Sequence, residues 1–191
     1  GCRVCLRDRP QVYVPMGSLL AHGRAVVTIG ADIPGSRGLG ATACALARYA
    51  AWVQEAALVT IVEAEVLMTR DHPLLPCGEV TANVLQTVFP QRYIQRVMLE
   101  GMILKPNMVL PGLTCPQQAS VDEVAEDTVQ CLLRSVPAAV PGVAFLSGGQ
   151  SCEQSSARLN ARKLGFRAAW ALTLSCARAR QPPEFYMWTV R

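Results

Sequence analysis

The chain has 191 residues, about half of them hydrophobic, which is enough for one sizeable core. It has no long charged or Gly/Ser-rich run of the kind that stays disordered. Its net charge of +4 is too small to argue for nucleic acid or an anionic membrane as a partner, and Arg, Glu or Asp cuts every apolar stretch before it reaches a membrane span.

The start, Gly1-Cys2-Arg3-Val4-Cys5, lacks the basic-then-apolar layout of a signal peptide and an initiator Met, so it reads as the start of a processed or partial product. The eight cysteines stand mostly singly in apolar periodic segments. That usage predicts reduced core residues of a cytoplasmic protein rather than a disulfide frame. Cys2-x-x-Cys5 has the spacing of half a zinc site or of a redox pair. No second CxxC follows and His22 and His72 are isolated, so neither metal nor cofactor is expected.

In chain order, residues 1–23 are mixed, with Pro10, Pro15 and Gly17 allowing only a short helix before Pro10. Ala25 to Gly30 is rich in β-branched residues and predicts a strand. Residues 31–40, with Pro34 and three glycines, predict a loop, and Ala41 to Ala57 a helix. Leu58 to Leu67 predicts a second strand on which Glu63 and Glu65, two apart, share a face. A polar loop over 68–76 leads to a helix from Gly78 to about Gln95, weakened at Pro90. The apolar run from Val97 predicts a buried strand that ends at Lys105, where Pro106 stops it. Ser120-x-x-Glu123 is a capping box for a helix to about Ser135. Val143 to Leu146 is a short strand, followed by Ser147-Gly148-Gly149-Gln150 and, from Ser151, another helix. Arg167 to Leu174 is a fifth strand, and Pro182 and Pro183 interrupt the tail.

Strand–helix alternation, four times over and closed by a strand, predicts a parallel sheet wrapped by helices. A doubly wound sheet and a (β/α)8 barrel both fit. Polar residues recur at or near the C-terminal ends of successive strands: Glu63 and Glu65, Lys105, Ser147, and Ser175 with Arg178. A barrel gathers those ends into one active face, whereas a doubly wound sheet concentrates ligand contacts at one switch point. A lysine ending a buried strand is uncommon, because hiding an ammonium costs several kcal/mol unless it is paired or neutral. A neutral lysine is a nucleophile for carbonyl carbon. Taken singly, each feature has a plainer explanation: Lys105 as the point where a strand meets water, the glutamates as a solvated face, Ser147-Gly148-Gly149 as a turn, Arg178 as a surface charge. Their joint order along the strand ends is what weighs against those explanations.

Longer motifs narrow the choice. Leu99-Glu100-Gly101 with Leu104-Lys105-Pro106-Asn107-Met108-Val109, Phe145-Leu146-Ser147-Gly148-Gly149-Gln150-Ser151, Ala47-Arg48-Tyr49-Ala50, Ile61-Val62-Glu63-Ala64-Glu65 and Trp170-Ala171-Leu172-Thr173 together resemble class I fructose-bisphosphate aldolase of the animal type. The resemblance runs down to Trp188 and is weakest before Arg24 and after Arg178. It implies an α/β fold of (β/α)8 TIM-barrel type and a lyase of glycolysis. The family cleaves fructose 1,6-bisphosphate reversibly to dihydroxyacetone phosphate and glyceraldehyde 3-phosphate through a Schiff base, without metal. On that reading Lys105 is the Schiff-base lysine, Glu63 the general acid/base and Glu65 its companion. Ser147, Gly148 and Arg178 contact phosphate, and Arg24 is an active-site arginine. A phosphosugar substrate and a homo-oligomer follow, as does one partial barrel domain over 1–191, with a poorly matched leader (1–23), a core (24–178) and a divergent tail (179–191).

The sequence also departs from the resemblance. Only about the last five of eight strands are expected, against roughly 250 residues in a usual barrel, and five strands leave two unpaired edges and an open inner face. An aspartate and a further lysine that the family carries on the earlier strands have no counterpart. His22 stands where the family has another active-site lysine; Cys176 and Ala177 replace a tyrosine and a glycine at the phosphate site, and the terminal tyrosine is absent. Three functional readings follow: an aldolase-type enzyme whose activity is impaired or lost, a non-catalytic interaction module, and a phosphosugar-binding protein that still forms an imine.

Overall fold

The structure, a computed structural model, describes residues 3–165 and 169–175. Its elements are α1 (Arg3–Tyr13), β1 (Leu20–Thr28), α2 (Ser36–Glu55), β2 (Val59–Leu67), α3 (Leu74–Ile94), β3 (Met102–Pro106), α4 (Val121–Ser135), β4 (Gly142–Phe145), α5 (Cys152–Gly165) and β5 (Ala171–Leu174). The five strands form one sheet in the order β1-β2-β3-β4-β5, every neighbouring pair parallel. The helices follow the same order, α2 packing on α3, α3 on α4 and α4 on α5. A strand order that never reverses has no switch point, so this is a sector of a (β/α) barrel and not a doubly wound sheet.

The core lies between the sheet and the helices. Val62, Val66, Met102, Leu104, Val143 and Phe145 point outward from the strands and are buried in one cluster with Leu46, Leu85, Val88 and Leu132 of the helices. The other face is the barrel's interior, and β3 shows the alternation: Met102, Leu104 and Pro106 are buried, Ile103 and Lys105 less so. Among the described residues β1 and β5 each pair on one side only. The inner face is open at β1, where Leu20 and Val26 are 49% and 47% exposed.

Several boundaries differ from the sequence expectation. β1 begins at Leu20 and not at Ala25, because the period-2 alternation runs on through His22 and Arg24, whose polarity masks a strand. Helix α2 begins at Ser36, after Gly35, so Gly38 and Gly40 lie inside it rather than in a loop. α1 passes through Pro10 to Tyr13, and α3 starts at Leu74 and carries Pro90 in its interior. The run from Val97 is not strand throughout: Leu99-Glu100-Gly101 forms one 3-10 turn, tied down by Gln54 of α2, whose amide donates to the carbonyls of Met98 (2.8 Å) and Gly101 (3.2 Å). Pro106, expected to stop the strand, is its last residue, paired with Ala64. The capping box at Ser120 and Glu123 forms with both of its hydrogen bonds. Of the fifth strand, residues 171–174 are strand and 166–168 lie outside the described residues.

Candidate active site

Register brings the charged residues together. Arg24 is opposite Glu63, and Glu63 is opposite Lys105, so the three stand side by side on the inner face of β1, β2 and β3. Lys105 Nζ lies 2.9 Å from Glu63 Oε2. Both side chains are largely withdrawn from water, Lys105 15% and Glu63 6% exposed. The lysine's ammonium cost is therefore met by pairing. Arg24 bridges the two glutamates: its Nε is 2.8 Å and its Nη2 2.5 Å from Glu65 Oε2, and Nε is 3.3 Å from Glu63 Oε1. The Glu65 hydrogen bond, with the negative charge of both glutamates, holds the Arg24 guanidinium above its ordinary value. His22, two residues before Arg24 on the same face, sets its Nε2 against Glu63 Oε2.

The turn after β4 forms the next wall. Leu146 N donates to Pro106 O (3.1 Å) and Ser175 N to Phe145 O (2.8 Å), which holds the end of β4 between its neighbours. Gly148 and Gly149 then take positive φ of 58° and 85°, a region that glycine enters without penalty. The turn is braced from behind: Gln150 donates to Ser147 O (2.8 Å), and the buried Arg158 donates to Gln150 Oε1 (2.8 Å). Ser151 and Gln154 cap α5 reciprocally.

These walls enclose an open cleft of about 430 Å³ lined by Arg24, Glu63, Glu65, Lys105, Ser147 and Gly148 among others. Ser175 lines it too, while Arg178, with Cys176 and Ala177, lies outside the described residues. The remaining wall comes from the loop after β3, which brings in Leu113. Leu113 N donates to Met68 O and Gly112 N to His72 O, both at 2.8 Å. A Cβ at Gly112 would overlap the Arg70 carbonyl, so only glycine lets the two loops meet. Sequence reasoning gave Leu113 and Arg158 no role and named Gln150 only as part of the Ser147 motif. Pro111-Gly112 is a signal for the first, whereas the contact of Arg158 with Gln150 depends on packing.

Among the described residues no group of three or more His, Cys, Asp or Glu could hold a metal ion. Cys77, Cys115 and Cys131 are buried free thiols, and burial pushes Cys131 up to about 12. An amine 2.9 Å from a buried carboxylate, in a cleft that an arginine also lines, can exchange a proton with its neighbour and meet a carbonyl compound bearing a negative group.

Comparison with known proteins gives the same direction. The family model described as "Glycolytic: Fructose-bisphosphate aldolase class-I" matches residues 5–191. The chain is 48% identical over 184 residues to a Xanthomonas campestris protein named "Probable fructose-bisphosphate aldolase class 1", covering 96% of this chain and 55% of that one. It is 43% identical to "Fructose-bisphosphate aldolase, cytoplasmic isozyme 2" of Pisum sativum, over 96% of this chain and 51% of that one. A solved fructose-bisphosphate aldolase of Plasmodium falciparum, in complex with TRAP and a small-molecule inhibitor, superposes with a TM-score of 0.92 at 40% identity, over 95% of this chain and 53% of that chain. The chain thus spans about half the length of the relatives it matches. With its parallel half-barrel and its motifs in place, the chain belongs to the class I fructose-bisphosphate aldolase family.

Proposed function

We propose that Lys105 is the nucleophile of a Schiff-base aldolase site acting on a ketose phosphate, fructose 1,6-bisphosphate being the substrate that family membership favours. The observation that carries this is the Lys105–Glu63 contact of 2.9 Å inside the cleft that also contains the Ser147-Gly148 turn. The neutral amine adds to the ketone carbon, Glu63 gives a proton to the departing hydroxyl so that water leaves, and an iminium remains. The iminium accepts the electron pair of the breaking carbon–carbon bond, and the carboxylate takes a proton from the neighbouring hydroxyl. Glu65 fixes Arg24, which faces both glutamates. Ser147 and Gly148, with Arg178 from the chain beyond, are the proposed phosphate contacts, because a glycine turn opening a helix turns N–H groups toward an anion. A cytoplasmic setting fits this reading.

A second reading, an interaction module without turnover, is favoured by one observation: the inner face of β1 leaves Leu20 and Val26 to water. Trapping separates the two. The chain is incubated with dihydroxyacetone phosphate, reduced with borohydride, and digested for mass spectrometry. The reduced adduct is expected on Lys105, absent in Lys105→Met, and formed about 10²–10⁴-fold more slowly in Glu63→Gln. No adduct on a folded chain overturns the first reading in favour of the second. An adduct without cleavage of fructose 1,6-bisphosphate leaves binding and imine formation and removes the lyase.

A further inference from the structure

Glu63 stands between two nitrogens. Lys105 Nζ is 2.9 Å from Glu63 Oε2, and His22 Nε2 contacts the same oxygen, while Arg24 takes the other side, 3.3 Å from Oε1. The partners are not equally wet. The Glu63 side chain is 6% exposed, Lys105 15% and His22 38%. The carboxylate and the amine also line the open cleft, and His22, the most exposed of the three, gives the carboxylate a second contact on the side of β1. The strand period explains the arrangement: His22 precedes Arg24 by two residues, shares its inner face, and lies on the outermost described strand.

Resting on the reading of Lys105 as nucleophile, we propose that His22 is a positioning residue that moves protons between Glu63 and solvent, so that its own protonation governs how fast Lys105 becomes able to attack a ketone. An ammonium cannot add to a carbonyl, so Lys105 must first lose a proton. The proton passes from Nζ to Glu63 Oε2 and from there to His22 Nε2, and the imidazole releases the one on Nδ1 to water. Only N–H and O–H bonds change, and one proton leaves the site, which ends with a neutral amine, a carboxylate and a neutral imidazole. An imidazole already protonated cannot accept. The charged groups around His22 are Glu63 of β2, Lys105 of β3 through Glu63, and Arg24 of its own strand, itself held by Glu65. On the opposite face of β1, α2 packs the Tyr49 ring against Gly23.

The test measures the rate of Lys105 adduct formation with dihydroxyacetone phosphate and cyanoborohydride from about pH 5.5 to 8, the interval that brackets an imidazole. The wild-type profile is expected to rise with pH, bend and level off. His22→Ala is expected to lose the bend and at least about tenfold in rate at the plateau, and imidazole added to the buffer to restore both, since the side chain it replaces is open to solvent. His22→Gln, which keeps a hydrogen-bond donor toward Glu63 but cannot titrate, is expected to behave like His22→Ala without rescue. If the wild type forms no Lys105 adduct at any pH, the nucleophile reading falls and takes this one with it. If the adduct forms but His22→Ala keeps the wild-type profile, or slows by one factor at every pH with no rescue, only the role of His22 is overturned.

Discussion

Lys105 and Arg92 are both cations withdrawn from water, but only one has a carboxylate. Arg92 is fully buried in α3; its Nη1 lies 3.3 Å from Met102 Sδ and its guanidinium carbon 5.7 Å from the centre of the Phe89 ring. Among the described residues its Nε and Nη2 have no hydrogen-bond partner, and burial pushes the guanidinium down to about 9. A charge so placed costs stability, in full below that value and progressively less above it. Arg92→Met is therefore expected to stabilise the fold by about 1–4 kcal/mol, read from urea unfolding. A loss of stability would mean that the guanidinium is satisfied in solution. His72 is buried as well, and desolvation lowers its imidazole, partly offset by the Leu110 backbone and the charge of Asp71. The unfolded chain then binds the proton more readily than the folded one. The stability due to neutral His72 is present above about pH 6.5 and is lost as pH falls below it. His72→Gln is expected to flatten the fall in unfolding temperature between pH 7 and pH 5; an unchanged slope would remove His72 as a cause.

At the scale of elements, the site depends on how strand ends are tied. Asn107, just past Lys105, accepts from Val66 N at 2.9 Å and donates to Thr81 Oγ1 and to Met108 O, each at 3.0 Å. It fastens the end of β2 to the end of β3, and with it the register that sets Glu63 beside Lys105. Asn107→Leu leaves a buried N–H and a buried hydroxyl without that partner, at about 1–3 kcal/mol each, so a loss of at least about 2 kcal/mol is expected. A change below about 0.5 kcal/mol in urea unfolding would show that other groups take over. The motif containing Asn107 was legible in the sequence, but its partners were not, because Val66 and Thr81 come from other segments. The same holds for the Ser147 turn, whose glycines announce a turn while its brace, Arg158, is set by packing.

At the scale of the whole molecule the feature that matters is the open side of the described sheet at β1. β1 has a partner on one side only among the described residues, and Leu20 and Val59, opposite one another in register, are both exposed on the inner face. An open strand edge beside an apolar face is a template for pairing. The chain is expected to self-associate with rising concentration in size-exclusion chromatography with light scattering. Leu20→Lys combined with Val59→Glu, which places opposite charges across that pair, should shift it toward monomer. A monomer at every concentration would mean that the edge is protected.

Residue order alone determined a good deal. Runs of β-branched residues, helical periodicity and one capping box gave the alternation of strand and helix, and long motifs pointed to Lys105, Glu63, Glu65, Arg24, Ser147 and Gly148. These signals are local, set by side-chain period and backbone preference, so they survive in one dimension. Where elements begin was less legible, as at Leu20 and Ser36, because polar residues on an inner barrel face look like loop. The alternation of elements left a doubly wound sheet and a barrel open; the motifs' resemblance pointed to the barrel, and the unreversed strand order agrees with it, since strand order lies in pairing and not in local pattern. Tertiary structure alone brought His22 and Lys105 to one oxygen of Glu63, because contact across three strands depends on register, which no single segment specifies.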